Sequence, residues 1–371
     1  MDVMRVVVVG AGIVGASCAY QASSSLGAEV VLADAALPGR ATAAGAGIVC
    51  PWWSDQADDP VWYQFACAAA RYYPELLAGL TAADVGYRKV GALIMCGADE
   101  QEDVRRQFAA RRAEAPEIGQ VRSLTGAQAR ARFPLLSGDR PAVLIDGAWR
   151  VDGRRVAAAL ASAAAAQGTV MRTGLAELVH RSGRVAGVTV GDELIEADAV
   201  VIATGAWAGT VLPPGLVDPQ RGQIAHFSVA PADTTGWPVV VPAGHGHYML
   251  AFENHRVVAG ATRETGSGFD YRVTAGGLAE VLREALTTAP GLATATHLET
   301  RVGFRPMSPD GRPVLGPVPG TDGLFVVTGL GPTGLTMGPY AGAIAARLAL
   351  GEPPGIDLAP FSPLRPVTAG P

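Results

Sequence analysis

Hydrophobic and polar positions along the 371-residue chain follow three kinds of pattern. The first is the apolar run without alternation. Residues 6–9 (VVVV), 29–33 and 196–203 carry it, and it predicts parallel strands buried on both faces. The second is the 3.6-residue period. It predicts helices over 62–80, 99–115, 125–133, 153–167 and 274–289, with Asp152 as N-cap of the fourth. The third is the short strand bounded by turn residues. Strands are predicted at 169–172, 176–180, 185–190, 220–229, 237–242 and 296–300. Strand–turn–strand units are predicted at 85–96 and at 247–261. In the latter, alternation puts Tyr248 and Leu250 on one face and Met249 and Ala251 on the other.

Glycines punctuate these patterns where chemistry is expected. Residues 5–34 read strand, glycine turn, helix, strand, acid, with Gly10, Gly12 and Gly15 spaced G-x-G-x-x-G. In such a unit the first glycine makes the turn, the second admits a pyrophosphate, and the third lets helix and sheet approach. The helix then points its N-terminal N–H groups at the phosphates, and Asp34 can accept ribose hydroxyls. Pro38, Gly39, Gly45 and Gly47 predict an irregular second loop over the cofactor, where Arg40 and Thr42 offer donors. Ala203, Thr204, Gly205 and Trp207 close another buried strand with small residues. A strand at 324–328 leads into Gly329, Gly331 and Gly334, with a helix opening near Met337, which predicts a second backbone-donor site.

Composition narrows the class. Apolar residues make up 49% of the chain, enough for large cores and two domains. A net charge of −5 with a pI near 5.7 argues against nucleic acid or an anionic membrane as partner. Lys89 is the sole lysine amid abundant Arg, Ala, Gly and Pro, as in GC-rich bacterial genomes. The four cysteines have no metal-ligand spacing and suit a reducing cytoplasm, and no signal peptide is visible. Residues 323–346 carry no charge but are broken by glycine and proline, so they read as strand, loop and short helix rather than a membrane span. Trp52 and Trp53 could cover a ring or fill the core, with core as the default.

Together the segments GAGIVGAS with Asp34, ATGAWAG, YMLAFENHRVVAGATRE, GFRPMSPDGRPVLGP and GLGPTGLTMGPYAG resemble the D-amino-acid oxidase and glycine/sarcosine oxidase family of flavoproteins. The resemblance implies an α/β fold in which a discontinuous Rossmann-like domain (1–84, 148–215 and 300–371) holds FAD. A mainly antiparallel substrate domain (85–147 and 216–299) is then inserted over the flavin ring. It implies cofactor contacts at Gly10, Gly12, Gly15 and Asp34, with Ile13, Val14, Ala35, Arg40, Ala41, Thr42, Ala46, Gly47, Ile48 and Val170. It extends them to Ala203, Thr204, Gly205, Trp207 and Arg305, and to the flavin-edge residues Gly329, Gly331, Pro332, Thr333, Gly334, Leu335 and Thr336. Arg305, expected in a proline-bounded turn, would bind the substrate carboxylate, and Tyr248 would donate to it. Some relatives tether the flavin through a cysteine near this arginine. Here the neighbours are Pro306, Met307 and Ser308, so FAD is expected to bind noncovalently.

The chemistry implied is oxidation of a small amino acid or secondary amine to an imine, then hydrolysis to an oxo acid. Two alternatives stay open: a 2-hydroxy acid dehydrogenase on the same fold, or a flavin-bearing subunit docking through loops near Trp52, Trp53 and Trp237. Either oxygen or an electron carrier fits as acceptor, and a homo-oligomer stays open. An ion pair of Arg305 with Asp310 is the structural alternative to its role. His245 and His247 neighbour Tyr248 in sequence, but His247 should face away from it.

Overall fold

The computed structural model describes residues 3–80, 84–212, 214–242, 244 and 246–366. Its first layer is a six-stranded sheet in the order Val314–Pro317, Leu324–Thr328, Ala199–Ile202, Arg5–Val9, Glu29–Asp34, Val170–Thr173. All neighbours are parallel except the first pair. The apolar run Val6 to Val9 sits at its centre and is almost completely buried. That is the pattern a strand covered on both faces requires.

Helices Ile13–Ser24 and Gly334–Ala349 pack against each other on this sheet. The contact is close because Gly342 has no side chain: a Cβ there would lie 2.4 Å from the Val14 carbonyl oxygen. Ser17 Oγ donates to the Pro339 carbonyl at 2.7 Å and pins the crossing. Two glycine loops far apart in sequence therefore begin their helices side by side.

The second layer is an eight-stranded sheet in the order Thr296–Met307, Asp218–Ser228, Arg256–Gly260, Tyr248–Phe252, Val239–Pro242, Ala92–Met95, Ala142–Ile145, Val121–Leu124. Helix Ala275–Thr288 covers it, capped by the Thr274 hydroxyl, which accepts from Gly277 N. The strand predicted to stop at residue 300 runs on to Met307, pairing along its length with Asp218–Ser228. Arg305 is thus a strand residue opposite Gln220, not a turn residue. Pro306 is tolerated there because the strand is at the sheet edge. Two smaller departures concern helices. The loop over the cofactor holds a helical turn, Ala41–Ala44, and the last long helix opens at Gly334, three residues before Met337. No helix among the described residues is long and apolar enough to cross a membrane.

Asp152 caps helix Gly153–Ala166 as predicted, accepting from Arg154 and Arg155 N–H. Its other oxygen accepts from Arg256 Nη2 at 2.8 Å, tying the helix to the second sheet. Burial alone would raise this carboxyl's pKa, but Arg256 and the helix N–H groups outweigh it and hold it below the ordinary value. Asp152→Ala should cost about 1–3 kcal/mol in urea unfolding, combining a lost cap with a lost charge-assisted bond. Because the folded pKa is depressed, this stability is complete above the unfolded carboxyl value of about 3.9. It fades as pH falls through the folded value. The variant's unfolding free energy should therefore fall less on acidification than the parent's.

Candidate functional site

One cavity of about 470 Å³ lies where the carboxyl ends of the parallel strands meet the second sheet, the usual ligand crevice of an open α/β sheet. The first turn bounds it. Gly10 has φ of +103°, its N–H donates to the Ala33 carbonyl at 2.7 Å, and a Cβ there would lie 2.5 Å from the Ala203 carbonyl oxygen. Gly15 does not touch the cavity. A Cβ on it would strike the Gly10 carbonyl oxygen at 1.7 Å, so its part is to let the helix reach the turn.

Asp34 stands at the end of its strand on the cavity wall. Its oxygens accept from Ala11 N and Ala36 N, with Arg40 Nη1 at 3.4 Å. These bonds fix the carboxylate while leaving lone pairs for hydroxyl donors. Thr42 turns its hydroxyl to the first helix and accepts from Ile13 N at 2.9 Å. Ile13, Val14, Ala35, Arg40, Ala41, Ala46, Gly47, Ile48, Ala203, Gly205 and Trp207 also line the cavity. So does Thr204, whose buried hydroxyl has no hydrogen-bond partner among the described residues. A glycine cradle, a fixed acid and an orphaned hydroxyl on one wall fit the pyrophosphate and ribose of a dinucleotide.

At the other end, Gly331, Pro332, Thr333, Gly334, Leu335 and Thr336 line the cavity at the N-terminus of the last long helix. Thr336 Oγ1 donates to Ile48 O, and Tyr73 Oη donates to Leu335 O, so this loop is held from two sides. Gly329 lies behind it, outside the cavity, at a φ of +72° that sets up the turn.

Arg305 enters from the second sheet. Its Nη1 donates to Thr262 O at 2.9 Å and Gln220 Oε1 at 3.2 Å, while Nε and Nη2 have no partner among the described residues. Burial pulls its pKa down, yet a guanidinium stays charged at any physiological pH. Glu264 reaches it electrostatically, but that carboxylate is taken by Arg221, Gln223 and Thr262. Asp310 pairs instead with Arg365 at 2.7 Å, which removes the structural explanation for Arg305. Tyr248 borders the same space, and burial raises its phenol pKa against the pull of Arg305 and Arg263, so it is an O–H donor. Gly222 makes room for Arg305, since a Cβ there would lie 2.6 Å from Nη2. Gly222→Ala should shift the guanidinium and raise KM for a carboxylate substrate about tenfold with little change in FAD content, measured by steady-state kinetics.

Several expectations need correction. Val170 opens an edge strand beside Val31 and stands away from the cavity; Gly174, Leu175 and Ala176, beyond that strand's far end, line it instead. The two tryptophans divide between their two readings: Trp52 fills the core, while Trp53 lines the cavity, with Ser54, Asp55 and Gln56. Trp237 is buried against Phe133, so the side chains of Trp237 and Trp52 both belong to the interior. His247, as its alternation with Tyr248 predicts, faces Glu280 away from the cavity, and His245 lies outside the described residues. Arg263 borders the cavity and was missed, because an arginine just past a hairpin looks like ordinary surface charge.

The pattern of the DAO family, described as FAD dependent oxidoreductase, matches residues 5–348. The crystal structure of iminodiacetate oxidase (IdaA) from Chelativorans sp. BNC1 is similar at 46% identity and a TM-score of 0.93, covering 98% of this chain and 100% of that one. The oxidoreductase YurR of Bacillus subtilis (strain 168) is 45% identical over 96% of this chain and 98% of its own length. Glycine oxidase of Pseudomonas putida KT2440 is 31% identical over 97% of this chain and 98% of its own.

Proposed function

The chain belongs to the DAO family of FAD-dependent oxidoreductases acting on amines and amino acids, and from that premise we propose that it oxidises a small amino acid or secondary amine to an imine. The observation that carries this reading is Arg305: a half-buried cation without a carboxylate partner among the described residues, beside Tyr248 in the cavity. A guanidinium partly withdrawn from water and left without a counter-ion favours the arrival of an anion. A substrate carboxylate supplies that anion, and its amino carbon is then carried toward the loop Gly331–Thr333 and the helix that follows.

The turn at Gly10 and Gly12, Asp34 and Thr204 would hold the dinucleotide part of FAD, and residues 331–336 the ring. When bound, FAD supplies the two-electron acceptor that takes the hydride from the carbon bearing nitrogen, leaving an imine that water hydrolyses to an oxo acid. The chain's own contribution is position. Arg305 forks the carboxylate, Tyr248 donates a further bond, and the second sheet covers the ring end from water. Retention of FAD is noncovalent in this reading. Among the cysteines only Cys50 borders the cavity, where burial pushes its thiol far above the ordinary pKa and keeps it un-nucleophilic. Four free, buried thiols support a place in the reducing cytoplasm.

The deciding experiment is an anaerobic visible spectrum of the holoprotein titrated with glycine, sarcosine, iminodiacetate, D- and L-amino acids, and the 2-hydroxy acids glycolate and D- and L-lactate. Bleaching of the flavin band by one of them is expected, and admitting air then sorts oxidase from dehydrogenase. Bleaching by a 2-hydroxy acid and by no amine would overturn the reading.

A further inference from the structure

Arg305 is not the only cation in the cavity. Arg263 follows strand Arg256–Gly260 by three residues and lies along the Gly246 backbone, where a Cβ would be 2.8 Å from its Nε. It borders the same space as Arg305 and Tyr248, and its charge acts on both of them. Among the described residues its ion-pair partner is Asp55, at 3.5 Å and with a carboxylate 79% exposed. So long and exposed a pair holds little energy and is readily exchanged. Two guanidinium groups thus share one cavity of about 470 Å³, one without a carboxylate and the other on a loose clasp. A singly charged amino acid leaves that repulsion half answered.

We propose that Arg263 receives a second substrate carboxylate in exchange for Asp55, so that the preferred substrate is an amine bearing two carboxylates. This deepens the amine-oxidation reading and rests on it for turnover. The second carboxylate can sit on a nitrogen substituent, as in an N-carboxymethyl amino acid, or on a side chain, as in aspartate. Either way Arg305 anchors the carboxylate nearest the reacting carbon, and Arg263 draws the far end toward the Ser54–Gln56 side of the cavity.

The test is binding to the holoprotein, read as perturbation of the flavin band without turnover. The probe is diglycolate, a dicarboxylate ether with no amine to oxidise, against methoxyacetate, its monocarboxylate counterpart. Arg263→Gln should weaken diglycolate about thirtyfold and lower the diglycolate-to-methoxyacetate affinity ratio at least tenfold, as loss of one charge-assisted contact requires. Asp55→Asn, which removes the competing carboxylate, should tighten diglycolate several-fold, a sign that damage to the fold cannot produce. Equal weakening of both probes in Arg263→Gln, or no tightening in Asp55→Asn, overturns the proposal. Comparing turnover of iminodiacetate with that of D- and L-aspartate then places the second carboxylate on nitrogen or on the side chain. If no amine bleaches the flavin while diglycolate binding still depends on Arg263, the amine-oxidation reading fails and the anion site stands.

Discussion

Replacing Arg305 with lysine should lower kcat/KM for an amine carboxylate about a hundred- to a thousand-fold while FAD stays bound, the loss of two charge-assisted bonds. Lysine keeps the charge but not the fork. The ammonium is a single point, so it cannot hold Thr262 O and Gln220 Oε1 on one side and grip both carboxylate oxygens on the other. Its shorter, strongly hydrated head would also have to give up water in a pocket where desolvation already pulls the Arg305 pKa down. Most of the loss should appear as a raised KM, with a smaller fall in kcat from a misplaced amino carbon. Unchanged turnover in steady-state assays would remove Arg305 from the role given to it.

Gly10→Ala should yield a protein with less than a tenth of the parent's bound flavin, seen directly as loss of the yellow colour. Two independent penalties act there. At a φ of +103° an L side chain is strained, by roughly 1–3 kcal/mol. The new methyl would also press 2.5 Å from Ala203 O and 2.8 Å from its carbonyl carbon, both backbone atoms that cannot swing away. The strand and the first turn must separate, and the wall that faces the pyrophosphate moves with them. The hydrophobic layers around Val6 to Val9 do not depend on this atom, so far-ultraviolet circular dichroism should stay close to that of the parent. A fully flavinated Gly10→Ala protein would show that the cofactor lies elsewhere.

Local signals account for what was readable. Gly10, Gly12, Gly15 and Asp34 lie within one strand–turn–helix–strand unit, so their spacing already carries their geometry. The same holds for the glycine loop before the last long helix and for Asp152, a cap whose bonds reach only two and three residues along the chain. Apolar runs marked the parallel strands because burial on both faces leaves no room for polar alternation.

Properties that depend on register between distant segments were not readable. The resemblance placed Val170 at the cofactor, but ligands gather at the carboxyl ends of parallel strands, and it stands at the opposite end. The length of strand Thr296–Met307 was hidden by Pro306, which is a strand breaker in the interior of a sheet and harmless at its edge. Arg305 was identified by resemblance, yet that it lacks an ion-pair partner among the described residues follows from where Asp310 and Glu264 spend their charges. Arg263 became visible as a site residue only when the second sheet placed it beside Gly246 and across from Asp55.

By itself, then, the sequence determined the elements and the dinucleotide turn, because those are encoded over a few adjacent residues, while FAD as the cofactor came from the resemblance of segments spread along the whole chain. Tertiary structure alone decided which charges remain uncompensated in the cavity. That depends on pairings between residues tens to hundreds of positions apart, which no local pattern records.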